Sequence, residues 1–225
     1  ISLLSGAIIG AGMFSLPHAF SKVGLVLGFL YLLILTIVVT LIHLLYGDVI
    51  LRTKTEHNFI GYVRTYLGEK VSRVAFLMSV VEMIIVLVIY LILSASFSKL
   101  IFQQDITLWW IMAFWLLASL TIFTNLKEIS VIQFIIAMSM ILIVGLVFLF
   151  GWNNLGNEKM FDYTLGADAK NIFFPIGPIL FALSGRVAIV ELIKYFSPRR
   201  PLKSIKHSIV LGTVIPAAVY GFFVD

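Results

Sequence analysis

Seven stretches of this 225-residue sequence are apolar for the length a bilayer demands, and little of the chain is left for anything else. A spanning helix needs about 20 mostly apolar residues. The runs fall at 2–22, 25–47, 72–98, 107–124, 129–151, 172–196 and 207–224. They are too long, and too uniformly apolar, for the alternating strands of a membrane barrel. The expectation is an all-α polytopic membrane protein, with one transmembrane domain over residues 1–225. Composition agrees: 61% of residues are hydrophobic and 12% charged, against about 45–50% and about 25% in soluble domains. The formal charge of +5 has no soluble domain to carry it, so the implied partner is the lipid bilayer and not nucleic acid. The absence of cysteine excludes disulfides and thiol chemistry. The sequence opens on Ile1 inside an apolar run and stops at Asp225 just after another. It therefore reads as truncated at both ends, with no cleavable signal peptide.

The basic residues between the runs give a direction. Arg52, Lys54, Arg64, Lys70, Arg73, Lys127, Lys194, Arg199, Arg200, Lys203 and Lys206 fall on one side; Lys22, Lys99, Lys159 and Lys170 fall on the other. The positive-inside rule makes the first group cytoplasmic. The N-terminus is then inside and the first segment runs outward. His57–Lys70 places Phe59, Ile60, Val63, Tyr66 and Leu67 near helical spacing. That suggests a short amphipathic helix on the cytoplasmic surface, ended by Gly68, or else a plain connector. The outer loop from Gly151 to Asn171 is polar, and Asn171 is placed to cap the sixth segment.

Two of the runs contain residues a membrane helix should avoid. The first carries Gly6, Gly10 and Gly12 and then Pro17; the sixth carries Pro175, Pro178 and Ser184-Gly185. Gly weakens a helix by about 1 kcal/mol and Pro by about 3 kcal/mol. Freed backbone groups survive at membrane depth only where protein or a polar cavity covers them. Gly6 and Gly10 also satisfy a helix-packing spacing, which is the plainer explanation of those two alone. Taken with the sixth segment, they form a pair of interrupted helices running in opposite directions, the sequence pointer to a secondary transporter's binding site. A half-helix starting at Gly12-Met13 presents N–H groups to an anion. Half-helices ending near Ile9 and Leu183 present carbonyls to an ammonium or a metal cation. An amino acid carries both charges on one carbon.

Three ionisable residues lie at membrane depth, where such groups are costly and by default functional: Glu82 in the third run, and Arg186 and Glu191 in the sixth. Glu82 and Arg186 fall at similar depth, so they are candidates for an ion pair, with Glu191 an alternative partner for Arg186. Their role is coupling or gating, or a static tie between helices. Tyr90 needs a partner for its hydroxyl and either borders a cavity or packs. His18 and His43 are lone histidines, read as structural. No metal-ligand spacing, Ser-His-Asp set or phosphate loop is present, so an enzyme and a cofactor are not expected.

Several of these stretches are similar to one family. Gly-Ala-Gly-Met-Phe-Ser-Leu-Pro-His-Ala-Phe at 10–20 resembles the first-helix motif of the amino acid/auxin permease family and its aromatic amino acid permease relatives. Tyr66-Leu-Gly-Glu-Lys, Tyr90-Leu-Ile-Leu-Ser, and Phe174-Pro-Ile-Gly-Pro-Ile-Leu-Phe-Ala-Leu-Ser-Gly with Ala188-Ile-Val-Glu191 resemble its later segments, in the same order. Arg186 and Val190 depart from it: members usually carry a neutral side chain or His at the first position, and several carry Pro at the second. The resemblance implies the leucine-transporter-type inverted-repeat fold of the amino acid–polyamine–organocation superfamily. This chain would be its N-terminal portion, with seven transmembrane helices and helices 1 and 6 broken. It implies alternating access of an amino acid driven by Na+ or H+. The eighth helix, which supplies ion ligands in sodium-coupled relatives, lies beyond the sequence. Ile9, Gly10, Ala11, Gly12, Met13, Phe181, Ala182, Leu183, Ser184 and Gly185 would contact substrate, with Tyr90 bordering the cavity. The alternatives are a same-fold carrier of another small amine or organic solute, and a membrane sensor or scaffold that binds an amino acid without moving it. The implied location is the cytoplasmic membrane of a prokaryote. The sequence does not indicate an oligomeric state.

Overall fold

A computed structural model describes residues 1–53, 55, 57–102, 107–120, 123, 138–139, 142–143, 145–146, 171–196 and 201–224. Most of the fifth expected span, the loop 151–170 and the basic residues Lys54, Lys127, Arg199 and Arg200 lie outside them. Among the described residues all regular structure is helical. Four helices are long and apolar enough to cross a membrane: Leu25–Arg52, Phe59–Lys99, Ile176–Lys194 and Leu202–Val224. The chain forms two units, one of Ile1–Glu56 with Phe134–Asp225, the other of His57–Gln133.

In the first unit, α1 (Ser2–Ile8) gives way at Ile9 and Gly10 to a 3-10 helix, Ala11–Ser15, and then to α2 (Leu16–Ser21). Pro17 sits in the first turn of α2, where its missing N–H would have had no partner anyway. Gly24, at φ 82°, turns the chain into α3 (Leu25–Arg52). The buried positions of α3 are Gly28, Leu32, Thr36, Val39, Thr40, His43, Gly47 and Ile50, spaced by three and four apart from the adjacent Val39 and Thr40, so they form one stripe. Val26, Leu30, Leu33, Ile34, Ile37, Leu41, Ile42 and Leu45 are exposed. Five of the eight buried positions are glycine or polar, whereas these exposed ones are all large and apolar. In water this would be an association surface; against lipid it is the expected arrangement, with close packing driving helix contact. Thr36 and Thr40 donate to the carbonyls of Leu32 and Thr36, at 2.6 and 2.7 Å, so neither hydroxyl is left without a partner.

The remaining elements of this unit are α6 (Ile176–Ala182), α7 (Arg186–Phe196) and α8 (Leu202–Val224). The core gathers where α1, α3, α7 and α8 meet: Leu4, Ile8, Ile189, Leu192, Ile205 and Ile209 are all essentially inaccessible. Gly212 of α8 lies where a Cβ would come 2.9 Å from the Leu4 side chain, and Gly185 where it would come 2.6 Å from Ile8. α1 therefore reaches its place only because both neighbours lack a side chain. Asn171 caps no helix. Residues 171–175 form a turn, Pro175 stands at the N-terminal boundary of α6, and no side chain caps it.

The second unit contains α4 (Phe59–Phe102) and α5 (Thr107–Leu120), which pack on one another. Gly68, at φ 84° and ψ 174°, interrupts α4, so a short helix ends there and the spanning helix begins. Tyr62 is buried within the short helix, and its hydroxyl accepts from the His57 backbone N–H at 3.4 Å. Of the expected apolar face, Phe59, Ile60 and Val63 are half-buried while Tyr66 and Leu67 are exposed.

Candidate functional site

The first interruption is set by backbone geometry. Ile9 (φ −66°, ψ 103°) and Gly10 (φ −157°, ψ −165°) are extended, so the helical hydrogen-bond ladder stops once Ile9 N–H has donated to Ser5 O at 2.8 Å. It resumes as 3-10 turns, with Met13 N–H donating to Gly10 O at 3.2 Å. Ser15 Oγ donates to Gly12 O at 2.6 Å, satisfying one more carbonyl in the transition to α2. The second half-helix thus starts at Ala11, one residue before the expected Gly12, and runs as a 3-10 helix before becoming α-helical. The packing spacing of Gly6 and Gly10 is not used within the described residues. Gly6 is exposed, and a Cβ added there would meet nothing within 4 Å.

The second interruption is shorter. Leu183 N–H still donates to Ile179 O at 2.9 Å, closing the last turn of α6, and Ser184 N–H reaches back to Phe181 O at 3.2 Å. Phe181 and Ala182 therefore remain helical, and the half-helix ends at Leu183. The break proper is Leu183, Ser184 and Gly185. Ala182, Leu183 and Gly185 are buried, Phe181 is half-buried and Ser184 is exposed. Arg186, half-buried, opens α7, and Glu191 is exposed five residues later. At about 100° per residue that spacing puts the two well apart around the helix. Glu82 and Tyr90 lie on α4 in the second unit, both exposed.

The two interruptions lie against one another. A Cβ on Gly12 would stand 2.7 Å from Ala182 Cα, 3.1 Å from its N and 3.2 Å from its Cβ. Only glycine permits so close an approach of two backbones. Gly12 is thereby set against Ala182, and Gly185 against Ile8.

The seventh segment was read as a plain span, yet it supplies the polar partners. Tyr220 of α8 is fully buried, and its hydroxyl lies 2.6 Å from Ile8 O and 3.0 Å from Ala182 O. These carbonyls belong to the final turns of α1 and α6, where no intrahelical N–H remains to serve them. Pro216, inside α8, has no N–H for the carbonyl four residues back, that of Gly212. Ser5 Oγ of α1 donates to that oxygen at 3.2 Å. Thr213 donates to Ile209 O at 3.0 Å, so its oxygen accepts from His43 Nδ1–H, also at 3.0 Å. The polar face Thr213-Pro216-Tyr220, at helical spacing, was the available signal.

These features define a helical membrane protein built around a pair of apposed, interrupted segments. The chain belongs to a known family: the family model described as transmembrane amino acid transporter protein matches residues 1–224. No similarity to a curated protein or to a solved structure was found.

Proposed function

We propose that the chain is the substrate-carrying portion of a secondary active transporter that moves amino acids by alternating access, coupled to a proton or sodium gradient. Family membership supports the substrate class and the membrane setting. The observation that carries the reading is the approach of Gly12 to Ala182 with the carbonyls of Ile8 and Ala182 turned to one point. Two half-helix C-termini there concentrate negative dipole charge, which favours a cationic group such as a substrate ammonium. Backbone N–H groups at the start of the following half-helices suit the carboxylate. In this reading Ile9–Met13 and Phe181–Gly185 contact substrate. Glu82, Arg186 and Glu191 serve coupling or gating. The framework is the leucine-transporter-type inverted repeat, with the N-terminus cytoplasmic in a prokaryotic inner membrane.

The test is reconstitution of the full-length protein in liposomes, with labelled amino acids screened under imposed sodium or pH gradients. Gradient-driven accumulation of at least one amino acid is the expected result. Saturable binding without accumulation or exchange assigns a sensor instead. Transport confined to a different amine or solute keeps the fold and replaces the substrate. The absence of any amino acid uptake or binding removes the reading.

A further inference from the structure

We infer that the Tyr220 hydroxyl is a built-in competitor for the cation position between the two interrupted helices, and so sets how tightly a substrate ammonium is held there. This rests on the transporter reading above and extends it to a residue in α8.

The argument is geometric. One phenolic hydrogen faces two carbonyls, of Ile8 at 2.6 Å and of Ala182 at 3.0 Å. Both residues are buried, and Tyr220 is inaccessible, so water does not serve these oxygens in this arrangement. Each carbonyl closes a half-helix, so each is an acceptor with no partner in its own ladder. The point that meets both is the point a cation would seek, and a neutral donor already occupies it. An ammonium entering between the carbonyls must displace the hydroxyl, or share the carbonyls with it. The free energy of the hydroxyl's bonds is therefore subtracted from the binding of the ammonium. The arrangement also explains why a tyrosine is buried at such depth. The ring fills the core at the end of α8, while the hydroxyl satisfies two groups that would be costly to leave bare.

A purely structural tyrosine predicts that loss of the hydroxyl loosens the site and weakens binding. Competition predicts the opposite sign. In Tyr220→Phe the ring stays and the competitor goes. The dissociation constant for the labelled L-amino acid taken up fastest by the wild type should then fall about fivefold, the equilibrium equivalent of one ordinary hydrogen bond. Turnover should fall as well, because release from a tighter site is slower. A second variant strengthens the donor: 3,5-difluorotyrosine at position 220, whose phenol is more acidic, should raise the same constant severalfold. Weaker or unchanged binding in Tyr220→Phe overturns the inference; so does unchanged or tighter binding in the fluorinated protein. If the phenylalanine variant does not accumulate in the membrane, the fluorinated protein alone decides. Failure of the wild type to bind or move any amino acid removes the transporter reading itself, an outcome distinct from a normal wild type with indifferent variants.

Discussion

Gly12→Ala tests the apposition of the two interruptions directly, because the structure fixes what the new methyl group meets. It would lie 2.7 Å from Ala182 Cα and 3.1 Å from Ala182 N, where carbon atoms ordinarily rest about 3.5–4.0 Å apart. The neighbours are backbone, so no rotamer change relieves the clash, and the two segments must separate by about 1 Å. Overpacking of this kind costs about 1–3 kcal/mol. If that penalty falls on the substrate-holding arrangement, affinity drops by about fivefold to a hundredfold. Gly6→Ala is the matched control. It is the same substitution in α1, six residues before Gly12, with nothing within 4 Å of the added Cβ, and it should leave both stability and uptake near wild type. The assay pairs the melting temperature in detergent with initial uptake rates in liposomes. A second comparison probes the geometry more closely. Ala182→Gly removes only the neighbour at 3.2 Å and leaves the two nearer backbone atoms in place. Added to Gly12→Ala, it should restore only a small part of the loss. Equal behaviour of Gly12→Ala and Gly6→Ala would refute the contact, and full rescue by Ala182→Gly would refute its backbone character.

Ser5→Ala should destabilise by about 1 kcal/mol, because Gly212 O then loses its donor. In a Pro216→Ala background, where the helix supplies its own N–H, the same change should be nearly neutral, as a double-mutant cycle of melting temperatures can establish. Thr213→Val deletes the oxygen that accepts from buried His43. A loss of about 1–3 kcal/mol is expected for the unsatisfied donor, and Thr213→Ser should retain most of the stability. Gly68→Ala forces a side chain into φ 84°, ψ 174°, a region essentially confined to glycine, at a cost of about 1–3 kcal/mol; Asn, whose tolerance is for the left-handed helical region, should fare no better. A melting temperature of Gly68→Ala equal to that of the wild type would count against the strained turn.

The helical class, the described spans and the place of both interruptions were legible because each rests on a local property. Apolar length reports the bilayer, and Gly10-Ala11-Gly12 and Ser184-Gly185 report where a helix is weakest. Helix ends were legible only where lipid and helix stop together. α3 continues past the apolar run to Arg52, where Arg52 and Asp48 pair at 2.7 Å one turn apart. α8 begins at Leu202, five residues before the apolar run, because Pro201 O accepts from Ser204 and Ile205 N–H. The charges at Lys203 and Lys206 end the hydrophobic signal there without ending the helix. Tertiary satisfaction was not legible at all. No local rule says which distant hydroxyl will serve the carbonyl of Ile8, since Tyr220 lies 212 positions away in sequence.

That last gap has a physical logic. A broken helix generates acceptors it cannot satisfy, and within the irregular segment the N–H of Met13 is engaged locally, on Gly10 O. The missing donors must come from an element that is itself continuous enough to hold them in place. α8 is that element here. It meets α1 through Ser5 and Gly212, α3 through His43 and Thr213, and both interruptions through Tyr220. Each of these is a single neutral hydrogen bond, worth about 1 kcal/mol net, and so exchangeable. The contact between Gly12 and Ala182, by contrast, has no donor to exchange and depends on shape alone. Under the proposed function, a carrier that reopens its site would use ties of the first kind around a fit of the second. Side chains that loosen the ties should change how often the site opens, while side chains added at the fit should weaken the site itself.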